Sequence, residues 1–175
     1  MKSLISQFPH ILMGSIMNRM SDSENGWHGG IIDGEGTLSI RPRKREKESH
    51  LFMMTFEPRV IVHQKDRTIL DFLFSSSGLG HVCIHSQKQW RWEISKQWDV
   101  LEYLQNISSY LRHPQKIELG KLIIEFLIIK RENKKISKKL TPRMLEIVKQ
   151  IAFLNRGRNT KKSSSAYIEL IGETN

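Results

Sequence analysis

Residues 27–48 read "WHGGIIDGEGTLSIRPRKREKE", and the fold turns on where helical spacing gives way to strict alternation within them. Ser21, Asp22 and Ser23 just upstream are N-cap candidates, so a helix is expected from there to about Asp33. From Gly36 the period becomes two. Leu38 and Ile40 alternate with Thr37, Ser39, Arg41, Arg43, Arg45 and Lys47, giving a strand with one apolar face and one polar, then cationic, face. Gly29 and Gly30 each cost a helix roughly 1 kcal/mol relative to alanine. Their missing side chains let another backbone approach closely; read as a loop, the segment would need no such neighbour. Asp33 and Glu35 fall at the helix end that already carries negative partial charge, an unfavourable place for carboxylates unless a cation offsets them. A divalent metal held by hard oxygen ligands would do so.

Working outward, the basic turn "REKES" leads into a second strand from about Leu51 to Gln64, where Pro58 suggests a bulge or an edge. "DRTILDFLFSSSG" reads as a short helix with Asp66 as cap and Gly78 near its stop. "HVCIHS" and "WRWEIS" form a hairpin in which Trp90 and Trp92 share one face, either as core or for stacking on bases. Three helices are expected after it, over about 96–111, 114–131 and from Pro142 behind the cap Thr141. Helix, two strands, helix, two strands and then helices make an α+β domain with an antiparallel sheet.

The 28 Lys and Arg residues against 18 Asp and Glu give a net charge of +10, which favours an extended anionic partner. The cationic strand face narrows this to nucleic acid, because a two-stranded ribbon fits the DNA major groove and arginine takes guanine there in a bidentate way. Cys83 is the single cysteine, which excludes an internal disulfide and a cysteine-built zinc site and points to a reducing compartment. His63 falls on the second strand and His81 and His85 on the third, an arrangement better suited to a DNA-facing surface than to a metal. The apolar run "LIIEFLII" at 122–129 is too short to span a bilayer, so no membrane role is expected. Residues 3–17 only weakly mimic a signal peptide, and no secretion is expected.

"WHGGIIDGEGTLSI" resembles the defining motif of the LAGLIDADG homing endonucleases. "VHQKD" at 62–66, "LGHV" at 79–82 and "QIAFLNRGRNTKKSSS" at 150–165 resemble later segments of single-motif, homodimeric members, in the same order. His28 stands where the family usually has leucine, and Gly29 where it usually has alanine. The resemblance implies an αββαββα core with a saddle-shaped antiparallel sheet and additional C-terminal helices. It implies one endonuclease domain over residues 22–171, with an N-terminal extension (1–21) and a short tail (172–175).

For the site, the resemblance implies that Gly29, Gly30 and Asp33 serve the paired-helix interface. Glu35 and the Gly34 carbonyl would bind Mg2+, with Mn2+ as a possible substitute, and Gln64 would position water. A basic pocket group would come from Arg112, His113 or Lys116, of which Lys116 is preferred. Thr37, Ser39, Arg41, Arg43, Arg45, Lys47, Arg59, His81, His85 and Arg91 are expected on the DNA face, and Arg156, Arg158, Lys161 and Lys162 on phosphates. The implied activity is site-specific cleavage of double-stranded DNA across the minor groove, by a homodimer on a long pseudo-palindromic target, leaving 3′ overhangs. The implied location is inside the cell with the host DNA. A splicing maturase acting on intron RNA, or a non-catalytic DNA- or RNA-binding protein on the same fold, is the alternative.

Overall fold

Ser21 closes the start of the first helix, α1 (Asp22–Glu35), as a reciprocal cap. Its hydroxyl accepts the Glu24 N–H, and the Glu24 carboxylate accepts the Ser21 N–H at 2.7 Å. At the other end the Gly36 N–H reaches the Ile31 and Ile32 carbonyls, and the backbone turns extended at once (φ −72°, ψ 145°). Helix therefore passes into strand with no loop between them. A Cβ on Gly36 would lie 2.7 Å from both Cα and O of Ile32, so glycine is required there by space.

The computed structural model describes residues 20–46, 52–133 and 141–155. After α1 come β1 (Gly36–Glu46), β2 (Phe52–Gln64), α2 (Arg67–Ser77), β3 (His81–Ser86), β4 (Gln89–Ile94), α3 (Gln97–Ile107), α4 (Pro114–Glu132) and α5 (Pro142–Asn155). The strands form one antiparallel sheet in the order β1-β2-β4-β3. β1 and β2 pair without interruption from Gly36↔Val62 to Glu46↔Phe52. Pro58 sits opposite Ile40, outside the Val60–Gln64 stretch that pairs with β4. Its missing N–H therefore falls where β2 has one strand neighbour, and the irregularity lies instead in β3, between Ile84 and Ser86. Asp66 caps α2 through the Thr68 N–H, and Gly78 ends it in the left-handed conformation (φ 65°). The third helix stops at Ile107, four residues short of the expected Leu111, because residues 108–110 turn the chain toward α4.

Alternation sets the inside of the sheet. Leu38, Ile40, Phe56, Val60, Val62, Trp92 and Ile94 are buried on one face, against Ile32 of α1 and the apolar faces of the other helices. Trp92 belongs to this core and Trp90 packs half-buried at its margin. The Asn155 side chain donates to the Leu38 carbonyl at 3.0 Å, pinning the end of α5 onto β1. Among the described residues no helix is long and apolar enough to cross a membrane.

His28 is fully buried rather than at a helix interface. Its Nδ1 lies 3.0 Å from the Tyr103 hydroxyl and its Nε2 2.8 Å from the Ser76 hydroxyl, so both ring nitrogens are satisfied within the chain. The imidazole replaces an apolar filler with a polar pin between α1, α2 and α3. Burial pushes its pKa down to about 4, against a weaker opposing pull from Glu24. Above pH 6.5 both folded and unfolded chains hold this ring neutral. As pH falls from 6.5 toward 4 the unfolded chain takes up a proton that the folded one excludes, and stability is lost. The expected loss is on the order of 2 kcal/mol between pH 7 and pH 4.5. Urea unfolding at the two pH values checks it: His28→Leu should remove that part of the pH dependence, and an unchanged slope would refute the assignment.

Candidate metal and nucleic-acid site

The end of α1 gathers most of the polar groups expected at the catalytic centre. Glu35 is exposed there, and no basic side chain occupies the last helical turn. The final carbonyls of any helix lack intrahelical partners and concentrate negative potential. Glu35 and the Gly34 carbonyl therefore suit a hard divalent cation, and the donor set fits the expected metal. Among the described residues no three His, Cys, Asp or Glu side chains come together as a metal cluster.

Asp33 is occupied differently. Its Oδ2 accepts the Arg112 N–H at 2.6 Å, tying α1 to the segment that enters α4, while Oδ1 is shielded with no hydrogen-bond partner among the described residues. Lys116 is only 7% exposed, and its ammonium donates to the Gly36 carbonyl. The ammonium thus lies against the carbonyl where α1 becomes β1, one residue beyond Glu35, and ties that junction to α4. Arg112 folds back on the carbonyls of Ser109 and Leu111, and His113 is the exposed N-cap of α4. Gln64 is half-buried at the end of β2. Because Gly36 pairs with Val62, the register carries Gln64 past the start of β1 toward the end of α1. Arg67 is paired with Asp71 and lies over the Trp90 ring at 4.7 Å.

The adjacent glycines separate into two roles. A Cβ on Gly29 would lie 2.9 Å from the Tyr110 Cβ and 3.1 Å from its carbonyl carbon. Gly29 is buried against Tyr110 of its own chain. Gly30 and Gly34 are exposed, with open space where a Cβ would be. Trp27 borders the same side, 39% exposed and edge-on to Phe72 at 4.6 Å.

The outer face of the sheet carries Thr37, Ser39, Arg41 and Arg43 as alternation requires, opposite buried Leu38 and Ile40. Arg41 is exposed and, among the described residues, makes no ion pair. Arg43 pairs with Glu57 at 3.2 Å. Arg59 and Arg91 converge on Glu93, which is buried. The face is therefore less uniformly cationic than a count of its arginines suggests. His81 and His85 are exposed on β3, with the His85 ring 4.4 Å from that of His63. Burial, then the neighbouring His85 and Arg91, hold the His63 imidazole below its ordinary range, so it is neutral at pH 7. The Arg45 side chain and all of Lys47, Arg156, Arg158, Lys161 and Lys162 lie outside the described residues. Glu57 and Glu93 were not singled out from sequence. Alternation carried the signal for Glu93, since placing Trp92 inward turns Arg91 and Glu93 outward together.

Three structures with this architecture calibrate the likeness. The homing endonuclease I-CvuI, solved in complex with its target in the presence of calcium, superposes with a TM-score of 0.66 at 16% identity, over 86% of this chain and 94% of that one. The homing endonuclease I-TnaI gives 0.64 at 18% identity, over 86% and 99%. The archaeal intron-encoded homing endonuclease I-Vdi141I, complexed with DNA, gives 0.61 at 13% identity, over 87% and 96%. No curated protein sequence matches the chain significantly. At such identities the three structures establish the αββαββα arrangement with added C-terminal helices, and the sequence supplies the kinship. The pattern of the LAGLIDADG endonucleases matches residues 29–127, from inside α1 to deep within α4, and on that match the chain belongs to the LAGLIDADG endonuclease family.

Proposed function

We propose that the chain is a site-specific, divalent-metal-dependent endonuclease that cuts both strands of DNA as a homodimer, through a single catalytic domain over residues 22–171. The observation that carries this reading is the solvent side of α1. Gly30 and Gly34 leave it open, and Glu35 stands exposed at its end. A second α1 packed along that side would bring two Glu35 carboxylates together. The neighbouring structures solved with DNA support a nucleic-acid substrate for the same fold. Two-fold symmetry in the protein calls for a roughly palindromic target.

Glu35 and the Gly34 carbonyl would hold Mg2+, with Mn2+ as a substitute. Such a cation supplies the positive charge that activates water and stabilises a departing 3′ oxygen. Asp33 and Lys116 keep the bearing helix end in place, through the Arg112 N–H and the Gly36 carbonyl. Gln64 orients water beside Glu35. Arg41 offers a cation to phosphate or to guanine, with His81 and His85 on the neighbouring strand. Cutting across the minor groove leaves 3′ overhangs.

The direct test exposes a plasmid library with random inserts to the purified chain, in Mg2+ and separately in Ca2+. Breaks at one recurring site with 3′ overhangs, in Mg2+ alone, are expected. Tight binding to structured RNA with no DNA cleavage would overturn the reading in favour of a maturase. The dimer has its own test. Gly30→Leu should leave the monomer folded, because the site is open, yet shift sedimentation from dimer to monomer at micromolar concentration. A wild type that sediments as a monomer on DNA would sink the paired-helix arrangement.

A further inference from the structure

A face built to meet phosphates gains nothing obvious from a carboxylate, yet Glu93 occupies the middle of this one. It is 2% exposed. Its Oε1 lies 2.7 Å from Arg59 Nη2 and its Oε2 3.2 Å from Arg91 Nε. The register makes the trio inevitable. Glu93 is directly between Ile61 and His81, Arg91 is two residues before it on β4, and Arg59 is two residues before Ile61 on β2. All three side chains therefore leave the sheet on the same side.

Stability alone is a weak account of this arrangement. Burying ions costs desolvation that their pairing only partly returns, and apolar residues of similar volume often serve as well. The Arg43–Glu57 pair differs in burial, because Arg43 is 62% exposed and water screens the pair. What Glu93 adds is order. A free arginine surrenders rotamer freedom on meeting DNA, whereas one clamped beforehand does not. Each guanidinium has five donors in a rigid fork; Glu93 makes an ion pair with one nitrogen of each, the Arg91 Nη2 also donates to the Cys83 Sγ at 3.6 Å, and Nε of both arginines has no hydrogen-bond partner among the described residues. The side chains keep 20% and 26% of their surface exposed, so both retain donors for an incoming base edge. A fixed fork favours an acceptor pair that matches it, which in the major groove is guanine O6 and N7.

We propose that Glu93 is a positioning residue for sequence readout: it holds Arg59 and Arg91 as paired readers of guanine, making the chain more selective rather than tighter-binding. This rests on the DNA-cleaving function proposed above.

The experiment selects bound sequences from a pool of random DNA duplexes, in Ca2+, with wild type, Glu93→Gln, Glu93→Asp, Arg59→Lys and Arg91→Lys. The wild type should enrich a motif with guanine at discrete positions in each half. Glu93→Gln should lose about tenfold of the discrimination at those positions and none elsewhere. It should also bind random duplex more tightly, with a salt dependence steeper by about one counterion. Arg59→Lys and Arg91→Lys should relax the same positions at unchanged net charge, and Glu93→Asp should fall between. Combining Glu93→Gln with Arg59→Lys should add little further loss at the Arg59 position. A motif that survives intact in Glu93→Gln, or that fades uniformly across the site, overturns the role given to Glu93. Should Glu93→Gln not fold, the two lysine variants decide, and an unchanged motif in both overturns it equally. A wild type that enriches no motif fails the DNA-cleaving reading itself, a different result from a motif indifferent to Glu93.

Discussion

Glu35→Gln is expected to lower single-turnover DNA cleavage by about a thousandfold, equivalent to roughly 4 kcal/mol of barrier, while leaving DNA affinity in Ca2+ within about threefold of wild type. The substitution keeps size and shape but removes the formal charge that a hard cation requires. Its effect should be confined to chemistry, because Glu35 is exposed and supports no described contact of the fold. Asp33→Asn makes the informative comparison. Asp33 accepts a charge-assisted bond from the Arg112 N–H, so its loss should lower the melting temperature and reduce activity only in proportion. Cleavage by Glu35→Gln at the wild-type rate would remove Glu35 from the metal site. Abolition of cleavage by Asp33→Asn with stability intact would exchange the two roles.

Gly36→Ala should be strongly destabilising. The new Cβ would sit 2.7 Å from two Ile32 backbone atoms and 2.8 Å from Ile32 Cδ1. Backbone cannot yield there without unwinding the end of α1 or displacing the start of β1, where the Lys116 ammonium also bonds. Overpacking of this kind costs about 3 kcal/mol, a fall in Tm of roughly 6–12 °C for a chain of this size. Gly34→Ala, melted at concentrations where the chain is monomeric, is the control, since Gly34 lies on the side proposed to meet a second α1. Its Cβ would meet nothing within 4 Å, and alanine is the better helix former by about 1 kcal/mol. Thermal melts of the pair should move in opposite directions. Equal melts would mean that the helix–strand junction is looser than its geometry implies.

What was legible in the sequence was local. A cap among Ser21, Asp22 and Ser23, the change of period at Gly36, the Asp66 and Thr141 caps and the shared face of the β4 tryptophans follow from spacing within a few residues. The rest depends on residues far along the chain. Gly29 and Gly30 are adjacent and chemically identical, and only Tyr110, some eighty positions on, separates their surroundings. Nothing near Lys116 in sequence marks the Gly36 carbonyl as its partner. His28 broke the family pattern, and its explanation waits on Ser76 and Tyr103 from two other helices. Glu93 falls between these cases: alternation told its face, while its burial between two arginines needed the order of the strands.

The direct passage of α1 into β1, without a loop, has a consequence for how such proteins change. The buried residues His28, Gly29, Ile32 and Gly36 anchor the helix end, whereas Thr37, Ser39 and Arg41, starting one residue later, face outward on a strand whose inner side is already fixed. Substitutions on that outer side can alter the address without disturbing the machinery beside it. Under the proposed function, a lineage of these proteins could exchange one genomic target for another by surface drift alone, while the helix end tolerates almost none.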